Sequence, residues 1–130
     1  MDFNLKKMQK RIRLAIVGSR SFGDYELLLR KIAEIYGEYE IECVVSGGAI
    51  GADSLGARYA AENGIPLVEH KPDWGRYGKA AGFIRNRYII EDCTHCIAFW
   101  DGKSRGTKND IDLCEEIGRS CEVVVFGRTV

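Results

Sequence analysis

Apolar residues along this chain follow two alternating rhythms: short unbroken runs, and longer stretches in which they return every third or fourth position. The runs Ile12–Val17, Ile41–Val45, Leu67–His70, Thr94–Trp100 and Glu122–Phe126 have the length of buried strands and end in glycine or polar residues. Between the first two, Asp24 to Glu38 carries Tyr25, Leu28, Leu29, Ile32, Ile35 and Tyr36 at helical spacing. A second helix is predicted from Asp53 to Asn63, stopped by Gly64 and Pro66, with Ala52, Gly56 and Ala60 small enough to seat it close to a sheet. Further helices are predicted over Lys79–Glu91, with Ala80, Ile84 and Tyr88 on one side, and over Lys108–Ile117.

Strands that alternate with helices need crossover connections, so the pattern predicts a doubly wound α/β fold: a mainly parallel five-stranded sheet with helices on both faces. Such sheets bind ligands outside the carboxyl ends of their strands, where the winding reverses. The 130 residues suit one domain, assigned to 11–130, behind a basic arm over 1–10 that carries Lys6, Lys7 and Lys10. No apolar run is long enough for a membrane span and no secretory signal is visible, so the expected location is cytoplasmic, with no membrane partner. Lys+Arg and Asp+Glu number 19 each. Without a global field to draw it to polyanions, the chain is not expected to have nucleic acid as a partner, and any anion site must be local.

Glycine, hydroxyl and cation concentrate at the predicted strand ends: Gly18, Ser19 and Arg20; Ser46, Gly47, Gly48, Gly51 and Asp53; Asp73, Trp74 and Lys79; Ser104, Arg105, Gly106 and Thr107. Glycine lets backbone N–H groups approach a phosphate, helix N-termini add partial positive charge, and arginine clamps two oxygens. Ser46-x-Gly48-x-x-Gly51 is a G-x-G-x-x-G with serine in first place. Glu69 lies about 20 residues on, where an acidic residue holds a ribose diol in dinucleotide-binding folds. The competing reading is that the glycines close a tight turn while Asp53 complements a helix dipole. Thr107 and Asp110 have near capping-box spacing, whereas Arg105, between turn glycines, packs no core and suits phosphate or carboxylate. Lys79, Gly82 and Asn86 share a helix face with Arg85 beside it. Trp74 either stacks on a base or pins its loop to the core; Trp100 reads as core.

Cys43, Cys93, Cys96, Cys114 and Cys121 lie in apolar patterns, as reduced core thiols do. Cys93-Thr94-His95-Cys96 is a C-x-x-C, but it falls where a helix ends rather than at the helix N-terminus that stabilises a thiolate. Its spacing to Cys114 and Cys121 is unlike a zinc ribbon or finger, so no metal ligands are assigned. His70 and His95 lack a nucleophile-elbow partner, and no G-K-[ST] follows the glycines.

Read in order, G-S-R-x-F at Gly18–Phe22, S-G-G-A-x-G-A-D at Ser46–Asp53, P-D-W at Pro72–Trp74, G-K-A-A-G-x-x-R-N at Gly78–Asn86 and F-W-D-G-K-S-R-G-T at Phe99–Thr107 resemble the YspA-like branch of the SLOG superfamily. That superfamily also takes in the Smf (DNA-processing protein A) Rossmann domain and the LOG phosphoribohydrolases. The resemblance implies a single Rossmann-like domain that binds a nucleotide or nucleotide-derived phosphorylated molecule, as a sensor or conflict-related module of bacteria or phage, and a homodimer. Gly18, Ser19, Arg20, Ser46, Gly47, Gly48, Ser104, Arg105, Gly106 and Thr107 would hold phosphates, and Asp53, Asp73, Trp74, Lys79, Arg85 and Asn86 the sugar and base. Against the LOG pattern, Arg85 matches the helical arginine, but Lys103-Ser104-Arg105 replace a proline and paired glycines, and Asp110 replaces a glutamate. Arg85 and Asp110 are therefore catalytic only if the chain is a phosphoribohydrolase or related N-glycosidase. The Smf likeness offers single-stranded nucleic acid as a third ligand class, which zero net charge argues against. No cofactor is assigned beyond the nucleotide-like ligand.

Overall fold

The first apolar run becomes the middle of a sheet. In the computed structural model, which describes residues 10–127, β1 (Arg11–Gly18), β2 (Glu40–Ser46), β3 (Leu67–Glu69), β4 (His95–Trp100) and β5 (Ser120–Val125) form one sheet. All four pairings are parallel and the order is β3-β2-β1-β4-β5. The basic arm assigned to 1–10 lies outside the described residues except for Lys10, whose carbonyl accepts from the Glu40 N–H at 2.9 Å.

Alternation along β1 divides the core. Ile12, Leu14 and Ile16 face α1 (Tyr25–Tyr36) and α2 (Ala52–Glu62), meeting Leu28, Ile32, Tyr36, Ala52 and Ala60. Ala15 and Val17 face α4 (Ala81–Asp92) and α5 (Arg105–Ile117), meeting Ile89, Ile90, Leu113 and Cys114. Gly56 shows why small residues line α2: a Cβ built there would stand 3.0 Å from Ile16. The chain winds outward from β1 to β3, then returns to place β4 on the other side of β1, so the carboxyl ends of β1 and β4 flank the point where winding reverses. Among the described residues no helix is long and apolar enough to cross a membrane.

Two helical assignments need correction. The stretch predicted as one helix over Lys79–Glu91 opens on a 3-10 turn over Gly78–Ala80 before α4, and a one-turn helix α3 (Trp74–Tyr77) precedes it where no helix was predicted. The Asp73 carboxylate caps α3 by accepting from the Arg76 N–H at 3.1 Å, and Gly78, at φ +57°, ends it. The buried side of α4 is Ala81, Asn86, Ile89 and Ile90; Ala80 and Tyr88 are exposed. Asn86 turns inward because its amide donates to Asn109 Oδ1 at 3.1 Å, which a count of apolar positions does not see. Similarly, α5 is capped by Ser104, whose Oγ accepts from the Thr107 N–H, and not by Thr107. Thr107 and Asp110 are both buried instead of forming a capping box.

Candidate ligand site at the carboxyl edge of the sheet

The loops after β1 and β4 are joined through one buried hydroxyl. Ser19 Oγ accepts from the Asp101 N–H at 3.1 Å and pairs with Thr107 Oγ1 at 3.3 Å, while the Ser19 N–H donates to the Phe99 carbonyl at 2.8 Å. Asp101 organises the next turn by accepting from the N–H groups of Ser104 and Lys103, each at 2.8 Å, and these bonds hold its carboxyl below the usual range. The result presents the N-terminus of α5 at the end of β1. Trp100, expected in the core, is half-buried here and donates from Nε1 to the Ser104 carbonyl at 3.1 Å.

The glycine segment after β2 serves backbone approach. Arg85 lies over Gly47 and donates to its carbonyl; a Cβ on Gly47 would stand 2.3 Å from Arg85 Nη1. Gly51 has φ +82°, and a Cβ there would stand 2.5 Å from the Ser19 and Arg20 carbonyls, so only glycine fits this turn without strain. Asp53 follows at the start of α2, and its Oδ2 accepts from the Ala49 N–H at 3.1 Å. Burial nevertheless pushes its carboxyl up to about 6 against that hydrogen bond and the nearby Arg85 charge. Burial, and after it the Asp53 charge, push the Asp110 carboxyl well above its ordinary value. Its Oδ1 is buried and has no hydrogen-bond partner among the described residues. Both effects favour the protonated form of Asp110, in which a carboxyl donates as well as accepts.

A cavity of about 450 Å³ opens over these elements, a volume within the usual range of small-ligand sites. Of the residues assigned from the sequence, Gly18, Arg20, Trp74, Lys79, Arg85, Asn86, Ser104, Gly106, Thr107 and Asp110 line it. Ser19, Ser46, Gly47 and Asp53 are buried behind it, Gly48 and Gly51 shape the turn, and Asp73 caps α3. Glu69 is exposed and faces Gly48, outside the lining. Arg105 turns into a neighbouring cleft of about 390 Å³ with Lys103, Lys108 and Trp100. Phe83, which the sequence reading passed over, borders both spaces and is 50% exposed. Its signal was an aromatic residue between Gly82 and Arg85 on a polar stretch. Trp74 is 59% exposed, so it is available for stacking and does not pin its loop to the core.

Comparison with known proteins sets these features in a lineage. Residues 12–77 match the model of the YspA, cpYpsA-related SLOG family. The Gene 61 protein of Mycobacterium phage D29 is 32% identical over 122 residues, which cover 88% of this chain and 96% of that protein. In fold, the chain is similar to DNA processing protein A of Helicobacter pylori, with a TM-score of 0.63 and 20% identity over 92% of this chain and 67% of that one. It is also similar to DNA processing protein A of Streptococcus pneumoniae, with a TM-score of 0.68 and 22% identity over 95% of this chain and 53% of that one. The streptococcal chain thus extends well beyond the part matched.

These likenesses correct the expectation that nucleic acid is not a partner. The Helicobacter protein, which shares the fold, is described by its single-stranded DNA binding mode. Net charge sums the whole surface, whereas phosphates are met by local groups, so a total of zero does not exclude a polyanion. With a family model matched over residues 12–77 and a phage relative aligned almost from end to end, the chain belongs to the YspA, cpYpsA-related SLOG family.

Proposed function

We propose that the cavity binds a nucleotide or a nucleotide-derived phosphorylated molecule. The observation carrying this reading is the convergence, in one space, of Arg20, Lys79, Arg85 and the N-terminal residues of α5 with the faces of Trp74 and Phe83. Cations and free helix N–H groups suit a phosphate. Aromatic faces suit a base, and the Asp110 carboxyl, whose protonated form burial favours, stands with Asn86 in the lining to meet hydroxyls or ring nitrogens. Isothermal titration with a panel of nucleoside 5′-phosphates should give saturable one-to-one binding. Arg20→Ala should weaken it by about 1.5 to 3 kcal/mol, the range for hydrogen bonds to charged groups. A panel with no binder, or an Arg20→Ala variant that binds as the parent does, would overturn the reading. Analysing the same mixtures for free base tests whether Arg85 and Asp110 also cleave what is bound.

A second reading, single-stranded nucleic acid, is favoured by the adjoining cleft. It carries Arg105 and Lys103, with Lys108 paired to Asp112, and shares Phe83 with the main cavity, so a second phosphate could follow the first. For that ligand, affinity for oligothymidylates should rise with length and fall steeply with salt. Arg105→Ala should then weaken oligonucleotides and leave mononucleotides unaffected.

A further inference from the structure

At the opposite edge of the sheet, three cysteines distant in sequence meet. Cys96 on β4 and Cys121 on β5 are register partners on adjacent strands, and Cys114 on the last turns of α5 lies against them. Their sulfur atoms all lie within 4.8 Å of one another, and all three are free thiols. We propose that Cys96, Cys114 and Cys121 form a three-thiolate site for one thiophilic d10 cation, copper(I) or zinc(II).

The geometry needs little adjustment. Metal–sulfur bonds of about 2.3 Å in a trigonal arrangement place the sulfurs about 4 Å apart, so the cluster closes by less than about 1 Å. Soft thiolates select this class of ion over harder cations. Cys96 and Cys114 are fully buried while Cys121 is half-buried, which gives the ion and the displaced protons a single route. Binding replaces up to three S–H protons, which pass to solvent; no electron is transferred. Copper(I) is satisfied by the thiolates alone. Zinc(II) takes a fourth ligand, which water supplies at the Cys121 side, since among the described residues no other Cys, His, Asp or Glu joins the cluster. The backbone is braced for this: the N–H groups of Gly118 and Arg119 donate to the Cys114 carbonyl at 2.9 and 2.8 Å, locking the end of α5 over β5. Linear spacing of the cysteines conceals the site, because β4 and β5 become neighbours only when α5 crosses between them.

The test uses the full chain, reduced and metal-free under argon, titrated with copper(I) as its acetonitrile complex and separately with Zn²⁺ against a chromophoric chelator. Saturation at one equivalent with a rise in melting temperature is expected for at least one ion. Cys121→Ser should weaken binding by more than about 100-fold, the upper range for losing an outer-shell group. Cys43→Ser, on β2 outside the cluster, should bind as the parent does. X-ray absorption of the loaded parent chain, which needs no variant to fold, should show a three-sulfur shell. Failure of both ions to saturate at one equivalent, a shell of nitrogen or oxygen only, or unaltered binding by a folded Cys121→Ser would overturn the proposal.

Discussion

Replacing Asp53 by asparagine should remove a pH dependence from the stability of this chain. Burial raises the Asp53 carboxyl from the ordinary 3.8 to about 6, despite the Ala49 N–H at 3.1 Å and the Arg85 charge. The unfolded chain therefore loses this proton at lower pH than the folded chain does. The folded state is favoured below the ordinary value, and that advantage is lost as the pH rises through 6. The interval is worth about 3 kcal/mol at about 1.36 kcal/mol per pH unit, against a total stability of order 5 to 15 kcal/mol. Asparagine keeps an oxygen for the Ala49 N–H but cannot ionise. Urea unfolding of parent and variant from about pH 4 to about pH 8 should show the difference between them moving by about 3 kcal/mol in favour of the variant. Asp92 and Asp101, held below the usual range by their hydrogen bonds, titrate in both proteins and cancel. Parallel curves would refute the claim that this carboxylate is buried without full compensation.

Gly47→Ala should leave the chain folded, because its φ is not in the left-handed region, but should displace Arg85, whose Nη1 lies 2.3 Å from the new Cβ; nucleotide titration beside a thermal melt will show affinity lost with stability kept. Gly51→Ala should do the reverse, lowering the unfolding free energy measured in urea by at least about 1 kcal/mol because both its φ of +82° and two carbonyls at 2.5 Å oppose a side chain. Trp74→Ala should reduce the preference for a nucleoside monophosphate over ribose 5-phosphate by about 1 to 3 kcal/mol in paired titrations, with an unaltered melting temperature, since the side chain is mostly exposed.

The layers of the fold were legible because β1 alternates so plainly: Ile12, Leu14 and Ile16 on one side, Ala15 and Val17 on the other, each meeting a helical stripe of the right period. Glycines and hydroxyls at the strand ends marked the edge on which the cavity opens, because parallel connections bring those ends together whatever the loop details. Individual roles were less legible, since they depend on direction. Ser104 and Thr107 both have cap-forming side chains, and only the turn held by Asp101 makes Ser104 the cap and buries Thr107. Arg105 and Arg85 look alike in sequence, yet one leaves α5 toward a second cleft while the other folds back onto Gly47. Asn86 was placed on a polar face with Lys79 and Gly82 and does line the cavity with them, but its hydrogen bond to Asn109, which also makes it part of the buried side of α4, was not legible.

The balance of 19 cations against 19 acids hides an uneven distribution. Away from the cavity the charges pair off: Arg58 with Glu62, Arg30 with Glu34, Arg87 with Glu91 and Glu116, and Arg13 with Glu42 and Asp92; in the second cleft Lys108 pairs with Asp112. On the carboxyl edge Arg20, Lys79, Lys103 and Arg105 have no ion-pair partner among the described residues. Most acids on that edge are already engaged, the exposed Glu69 at the end of β3 being an exception. Asp73 and Asp101 accept backbone N–H groups, Asp53 accepts from Ala49, and burial favours the protonated form of Asp110. An anion within a Debye length of about 8 to 10 Å responds to this local excess and not to the sum over the chain. Whole-chain neutrality therefore coexists with a local excess of unpaired cations on one edge, and that edge is where both readings of the ligand place its phosphates.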